Sequence, residues 1–262
     1  MQHTIFQSFI DNTIAVLQES TEMLGLAVAG SWITAETDSF SDLDLVLVST
    51  TKISDNPEQM KAVAHQLGTV LSAFTGEHVG ETRLLICLYS NPLLHVDIKF
   101  LTLDEFHHRV ENPVVVWERD HQLTNIIQET QAVWPHPDFQ WIEDRFWVWV
   151  HYATLKIGRG ELLEAFDFLG FIRMVVLGPL LHIKNGNQPR GVRKVETKLE
   201  TADMDGLKKT VGQLNTPDLI AALWQSITLY RELRSHLFNE KIVLKNDAEK
   251  AVKAYLRQVE EM

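Results

Sequence analysis

The sequence predicts an α+β protein: an N-terminal domain with a mixed sheet flanked by helices, followed by a C-terminal α-helical domain. Three observations predict it. Short apolar runs bounded by turn residues fill residues 24–101, as strands do. Beyond residue 138, apolar residues recur at helical spacing over long segments. Between these regions the pattern weakens, and Pro113, Pro135 and Pro137 punctuate it, which sets the expected domains at 1–138 and 139–262.

In the first domain, Ile5, Phe6, Phe9, Ile10, Ile14 and Leu17 mark an amphipathic helix. "LGLAVAGS" reads as a strand ending in Gly30-Ser31, and "DLDLVLVS" as a second strand. Asn56-Pro57 is a helix start, and Met60, Val63, Leu67, Val70, Leu71 and Phe74 continue it as one stripe to a stop at Gly76. "TRLLICLY" and "LLHVDIKFL" are two further strands joined by "SNP". In the second domain, helices are expected in residues 141–160, 161–186, 216–238 and 248–261, with Gly158 and Gly160 breaking the first from the second. Trp141, Trp147, Trp149 and Tyr152 fall in the first of these and read chiefly as core.

Composition narrows the function. The chain has 262 residues, 45% hydrophobic and 23% charged, enough for a sizeable core. Its net charge of -11 argues against a broad phosphate-binding surface and against nucleic acid as partner. The single cysteine, Cys87, lies in an apolar strand and reads as a small core residue. The eleven histidines show no HxH or HExxH spacing, so zinc is not expected. There is no basic leader, and no uninterrupted apolar run is expected to reach membrane-spanning length, so the expected location is cytoplasmic.

The informative stretch is "AVAGSWITAETDSFSDLDLVLVST", residues 27–50. Strand interiors disfavour Asp, yet Asp42 and Asp44 sit there one residue apart. Alternation points both to one face, with Leu43 and Leu45 toward the core. Neighbouring carboxylates repel unless a cation or proton lies between them, and a hard divalent cation, Mg²⁺ first, suits oxygen ligands. Asp97 is a third acid on a strand, flanked by Val96 and Ile98 on the opposite face. If the two strands are neighbours, all three acids converge. Gly30 lets the backbone approach a phosphate, and the Ser31 hydroxyl and nearby N–H groups bind its oxygens. Neither GxxxxGK[ST] nor GxGxxG is present.

"AGSWITAETDSFSDLDLVLV" with the later "HVDIKF" resembles the nucleotidyltransferase superfamily, the fold of DNA polymerase β and of antibiotic nucleotidyltransferases. The likeness covers roughly residues 20–105. The helical half is more loosely similar to that of aminoglycoside and lincosamide nucleotidyltransferases. The resemblance implies Mg-dependent transfer of a nucleoside monophosphate, AMP from ATP or the equivalent from another NTP, to a hydroxyl of a small molecule. An aminoglycoside- or lincosamide-like antibiotic is one such acceptor, which would make the chain an antibiotic-resistance enzyme. Asp42 and Asp44 would bind Mg²⁺, Gly30 and Ser31 would hold the triphosphate, and Asp97 would be a metal ligand or the base. By the looser likeness Lys156 would reach the phosphates, and Glu161 or Glu164 would serve the acceptor or act as base. Related enzymes sometimes complete their sites across a homodimer.

Three other readings remain at this stage: a protein- or RNA-modifying nucleotidyltransferase of a toxin–antitoxin type, a nucleotide-binding module without turnover, and a non-enzymatic protein with acids on a strand edge. "RELRSH", residues 231–236, carries the loose Arg-x4-His spacing of HEPN-type ribonucleases, a pattern that a basic helix turn also produces by chance.

Overall fold

The computed structural model describes residues 2–262. The chain divides into two compact units, Met1–Trp134 and Pro135–Met262. The first is α+β. Its elements are α1 (Gln2–Gln18), β1 (Met23–Val28), β2 (Leu43–Ser49), α2 (Pro57–Leu67), β3 (Val70–Gly76), β4 (Glu81–Tyr89), β5 (Leu94–Thr102), α3 (Leu103–Phe106), β6 (Val114–Glu118) and α4 (Gln122–Glu129).

The six strands form one mixed sheet in the order β3-β4-β5-β2-β1-β6. β2 and β5 run parallel at its centre, and the other neighbouring pairs are antiparallel. Alternation along the central strands sorts the side chains onto two faces. Leu43, Leu45 and Leu47 of β2 and Val96, Ile98 and Phe100 of β5 join Phe6 and Ile10 of α1 and Met60, Ala64 and Leu67 of α2 in one core. Val46, Val48 and Leu101 face the other way and pack with Phe106 of α3 and Leu123 and Ile126 of α4. Each fully buried Leu or Ile adds about 1.5–3 kcal/mol, which is why the register of β2 and β5 is firmly set. Cys87 lies in the first core, 1% exposed, where burial pushes its thiol up to about 12.

The sequence reading needs correction at three places here. The helix starting at Pro57, with Asn56 capping Glu58 and Gln59 N–H groups, ends at Leu67 rather than near Gly76. Val70–Gly76 is instead the edge strand β3, paired antiparallel with β4. Its apolar residues match a helical stripe as well as a strand, and pairing with β4 decides between them. β6 and the helices α3 and α4 lie in the stretch whose pattern was too weak to read. α3 is only four residues long and owes its definition to a capping box between Thr102 and Glu105.

The second unit is helical: α5 (Phe139–Gly158), α6 (Leu162–Ile172), a π turn (Arg173–Leu177), α7 (Gly178–Lys184), α8 (Val195–Lys198), α9 (Thr201–Lys208), α10 (Thr216–Leu237) and α11 (Asn246–Glu260). Gly158 ends α5 and Gly160 is left-handed (φ +74°), so the glycine break falls where the sequence puts it. Among the described residues one helical run, Leu162–Lys184, is long and apolar enough to cross a membrane by length and composition, although Glu164, Asp167 and Arg173 interrupt it. Half of it is buried, with Leu169, Ile172, Val176, Leu177 and Leu180 in the core of this unit. Its buried half packs in the core of this unit. Trp147 is core as expected, whereas Trp141 and Tyr152 are 39% and 37% exposed.

Candidate metal centre

The parallel pairing of β2 with β5 places Asp44 directly beside Asp97 in register. Parallel neighbours are about 4.8 Å apart, so two acids at matched positions share one face. Asp42 precedes β2 by one residue and, two positions before Asp44, points the same way. Ligand oxygens of Asp42, Asp44 and Asp97 all lie within 4.8 Å of one another, and all three residues are half-buried. The convergence that the sequence made conditional on neighbouring strands is present.

Gly30 follows β1 and opens a 3₁₀ turn, Gly30–Trp32. Its φ is +61°, and a Cβ there would meet Asp44 Oδ2 at 1.8 Å. The glycine therefore makes room for the Asp44 carboxylate, a function that the sequence reading did not foresee. The Ala29 N–H donates to the Asp44 carbonyl at 2.9 Å, and the Gly30 N–H donates to Glu111 Oε1 at 3.3 Å. Ser31 Oγ lies 3.5 Å from Thr37 Oγ1 on the same loop.

Two residues that the sequence reading missed also belong here. His95 stands two residues before Asp97 on β5, and its Nε2 is 3.0 Å from Asp97 Oδ1. Strand alternation puts His95 on the face of Asp97, and that was the available signal. Glu111 comes from the segment between α3 and β6, which carried no readable pattern.

A cavity of about 200 Å³ opens beside the acids, lined among others by Asp44, Asp97, Lys99, Arg83, Phe106 and Glu111. Lys99 follows Asp97 on the same face, and its Nζ is 2.7 Å from Glu81 Oε2. Arg83 donates to both Glu81 oxygens at 2.7 Å. Those bonds from Arg83, with Lys99 adding to them, hold the Glu81 carboxyl at about 2 despite its burial. A larger cavity, about 520 Å³, lies against α1 between Phe9, Asn12, Tyr89 and Leu94. It has no converging acids, and the Tyr89 hydroxyl there is spent on the Ala64 carbonyl.

Lys156 lies on α5 in the helical unit. Its ammonium is 2.6 Å from Glu161 and 3.0 Å from Glu164, and these bonds raise its pKa. Glu164 also accepts the Tyr152 hydroxyl. The three candidates from the helical half thus form one ion cluster.

The donor set suits a hard divalent cation: three carboxylates, oxygen only, brought together by strand register with no thiol or imidazole among the converging oxygens. No family model matches the sequence, and no relative is found among curated proteins. Solved structures similar to the chain include two that match over nearly its whole length. One is an aminoglycoside 6-adenyltransferase from Bacillus subtilis, 14% identical, covering 97% of this chain and 98% of its own at a TM-score of 0.40. The other is a nucleotidyltransferase-like protein from Exiguobacterium sibiricum, 11% identical, covering 95% and 88% at a TM-score of 0.39. Likeness at these values assigns no chemistry to this chain.

Proposed function

We propose that the chain is a Mg-dependent nucleotidyltransferase that moves a nucleoside monophosphate, AMP from ATP first, to a hydroxyl of a small acceptor. The observation that carries this reading is the meeting of Asp42, Asp44 and Asp97 on one sheet face beside Gly30. Asp42 and Asp44 would hold Mg²⁺, with Asp97 as a third ligand or as the base. Bound there, the metal would neutralise charge on the attacking and leaving oxygens of an in-line displacement.

The remaining work belongs to the chain's own groups. The acceptor oxygen forms a bond to the α-phosphorus, the bond to pyrophosphate breaks, and the acceptor proton passes to a carboxylate. In the arrangement where Asp97 is that base, His95 at 3.0 Å orients its carboxylate. Ser31, on the turn after β1, would bind phosphate oxygens through its hydroxyl. Aminoglycosides and lincosamides head the panel of acceptors to be tried.

The test is pyrophosphate release from ATP and other NTPs with Mg²⁺ across such a panel, read together with a mass shift on the acceptor. Release that Asp42→Asn and Asp44→Asn abolish supports the assignment. Unaltered transfer by either variant overturns it.

A further inference from the structure

The Asp44 carboxylate lies against Gly30. This carboxylate occupies the volume that a side chain at position 30 would fill, with Oδ2 1.8 Å and Cγ 2.8 Å from the site of a Cβ. The direction of that carboxylate therefore depends on the backbone at Gly30. Glycine has the widest conformational freedom of any residue, and this one is left-handed at φ +61°. Two local hydrogen bonds border it: Ala29 N–H to the Asp44 carbonyl, and Ile33 N–H to the Gly30 carbonyl at 3.2 Å. The Gly30 N–H itself goes to Glu111, 81 residues away.

Two residues before Glu111 the chain is anchored by Arg109, which is 8% exposed. The Arg109 guanidinium donates to Asn112 Oδ1 (2.7 Å), Thr130 Oγ1 (2.6 Å), the Thr130 carbonyl (2.8 Å) and the Ile127 carbonyl (3.3 Å). The Arg109 carbonyl accepts from Val133 N–H at 3.0 Å. These bonds satisfy a buried guanidinium and tie the segment to the end of α4. The chain segment that Arg109 ties to α4 thus carries Glu111, whose carboxylate accepts the Gly30 N–H, and Gly30 in turn lies against the Asp44 carboxylate. Glu111 lines the same cavity as Asp44 and Asp97 but lies outside the group of oxygens within 4.8 Å of one another.

We propose that Glu111 is a positioning residue for the metal-binding carboxylates: by accepting the Gly30 N–H it fixes the turn on which the Asp44 carboxylate rests. The inference rests on Asp42, Asp44 and Asp97 being the metal ligands. What matters at Glu111 is an oxygen that accepts, so a glutamine serves and an alanine does not.

The experiment titrates the whole protein with Mn²⁺ alone, read by electron paramagnetic resonance, with thermal unfolding run alongside. Glu111→Ala is expected to weaken Mn²⁺ binding about tenfold, as loss of a ligand-orienting partner does, while Glu111→Gln stays within about threefold of wild type. Gly30→Ala, with Glu111 intact, is expected to weaken binding at least as much as Glu111→Ala. Should Glu111→Ala fail to fold, Glu111→Asp, one methylene too short to reach, replaces it with the same expectation. Equal loss in the Gln and Ala variants would mean that the charge itself is needed and overturns the proposal, as does wild-type affinity in both. Wild-type protein that binds no Mn²⁺ overturns the metal reading and this inference with it, whereas tight wild-type binding with indifferent Glu111 variants overturns this inference alone.

Discussion

Glu143 in the helical unit and Asp44 in the sheet unit are both acids set among apolar residues, and their surroundings differ in kind. Glu143 is fully buried, and its oxygens accept from Trp147 Nε1 at 3.3 Å, Arg234 at 3.1 Å, the Lys245 N–H at 2.8 Å and the Tyr230 hydroxyl. Arg234 continues to Glu249 at 2.8 Å, which also pairs with Arg231 and Lys253. Acids and cations alternate there, so the network is complete without a ligand. Asp44 is half-buried and meets two further aspartates within 4.8 Å. An alternating network holds a fold together, whereas three converging acids of one sign cost stability until a cation joins them. What separates the two carboxylates is the charge of their neighbours rather than their burial.

The largest expected effect lies on the structural side. Glu143→Ala removes one of the two carboxylates that pair with buried Arg234 and the acceptor of Trp147, Tyr230 and Lys245, which should destabilise the helical unit by about 3–5 kcal/mol, checked by urea unfolding. If the variant unfolds like wild type, the contrast fails at its first half. Asp44→Asn should do the reverse. Divalent-metal affinity should fall by about a hundredfold, while the unfolding midpoint stays level or rises as repulsion is relieved. Calorimetry and thermal unfolding on one sample check both.

Gly30→Ala sharpens the comparison from the backbone side. A side chain in the left-handed region costs about 1–2 kcal/mol, and the added Cβ also displaces the Asp44 carboxylate. A modest loss of stability with a disproportionate loss of metal binding is expected, read by the same two methods.

The smallest effect concerns Glu81, an acid near the cavity that is paired like Glu143. Its folded value of about 2 lies below the ordinary 4.5 because Arg83 and Lys99 bond it. A depressed carboxyl stabilises the fold above its unfolded value and stops doing so as pH falls through the folded one. The contribution is therefore full above about pH 4.5 and gone near pH 2, and is about 1 kcal/mol after solvent screening. Glu81→Gln should be less stable than wild type at pH 7, with the gap closing between pH 4.5 and 2 in a series of urea titrations.

Asp42, Asp44 and Asp97 were legible in the sequence because an acid in an apolar strand breaks the expected composition, and alternation alone gives the face. What the sequence left conditional was the pairing of β2 with β5, since strand order is a property of the whole sheet. The helix ending at Leu67 was overextended because Val70, Leu71 and Phe74 fit either period until β4 supplies a partner. β6 and α4 were hidden in a proline-punctuated stretch, and with them went Arg109 and Glu111. Their roles depend on Gly30, far off in sequence, and no local pattern encodes such a contact. Gly30 itself was legible as a glycine after a strand, but its closeness to Asp44 comes only from the antiparallel pairing of β1 with β2.

The central claim is that Asp42, Asp44 and Asp97 bind a nucleotide's metal. The most direct measurement is calorimetric titration of ATP into wild-type protein and the Asp44→Asn variant, each with Mg²⁺ and again with EDTA. Binding that requires Mg²⁺ in the wild type and is lost in the variant is the expected result. Equal ATP binding by both proteins, or binding indifferent to EDTA, would contradict the claim.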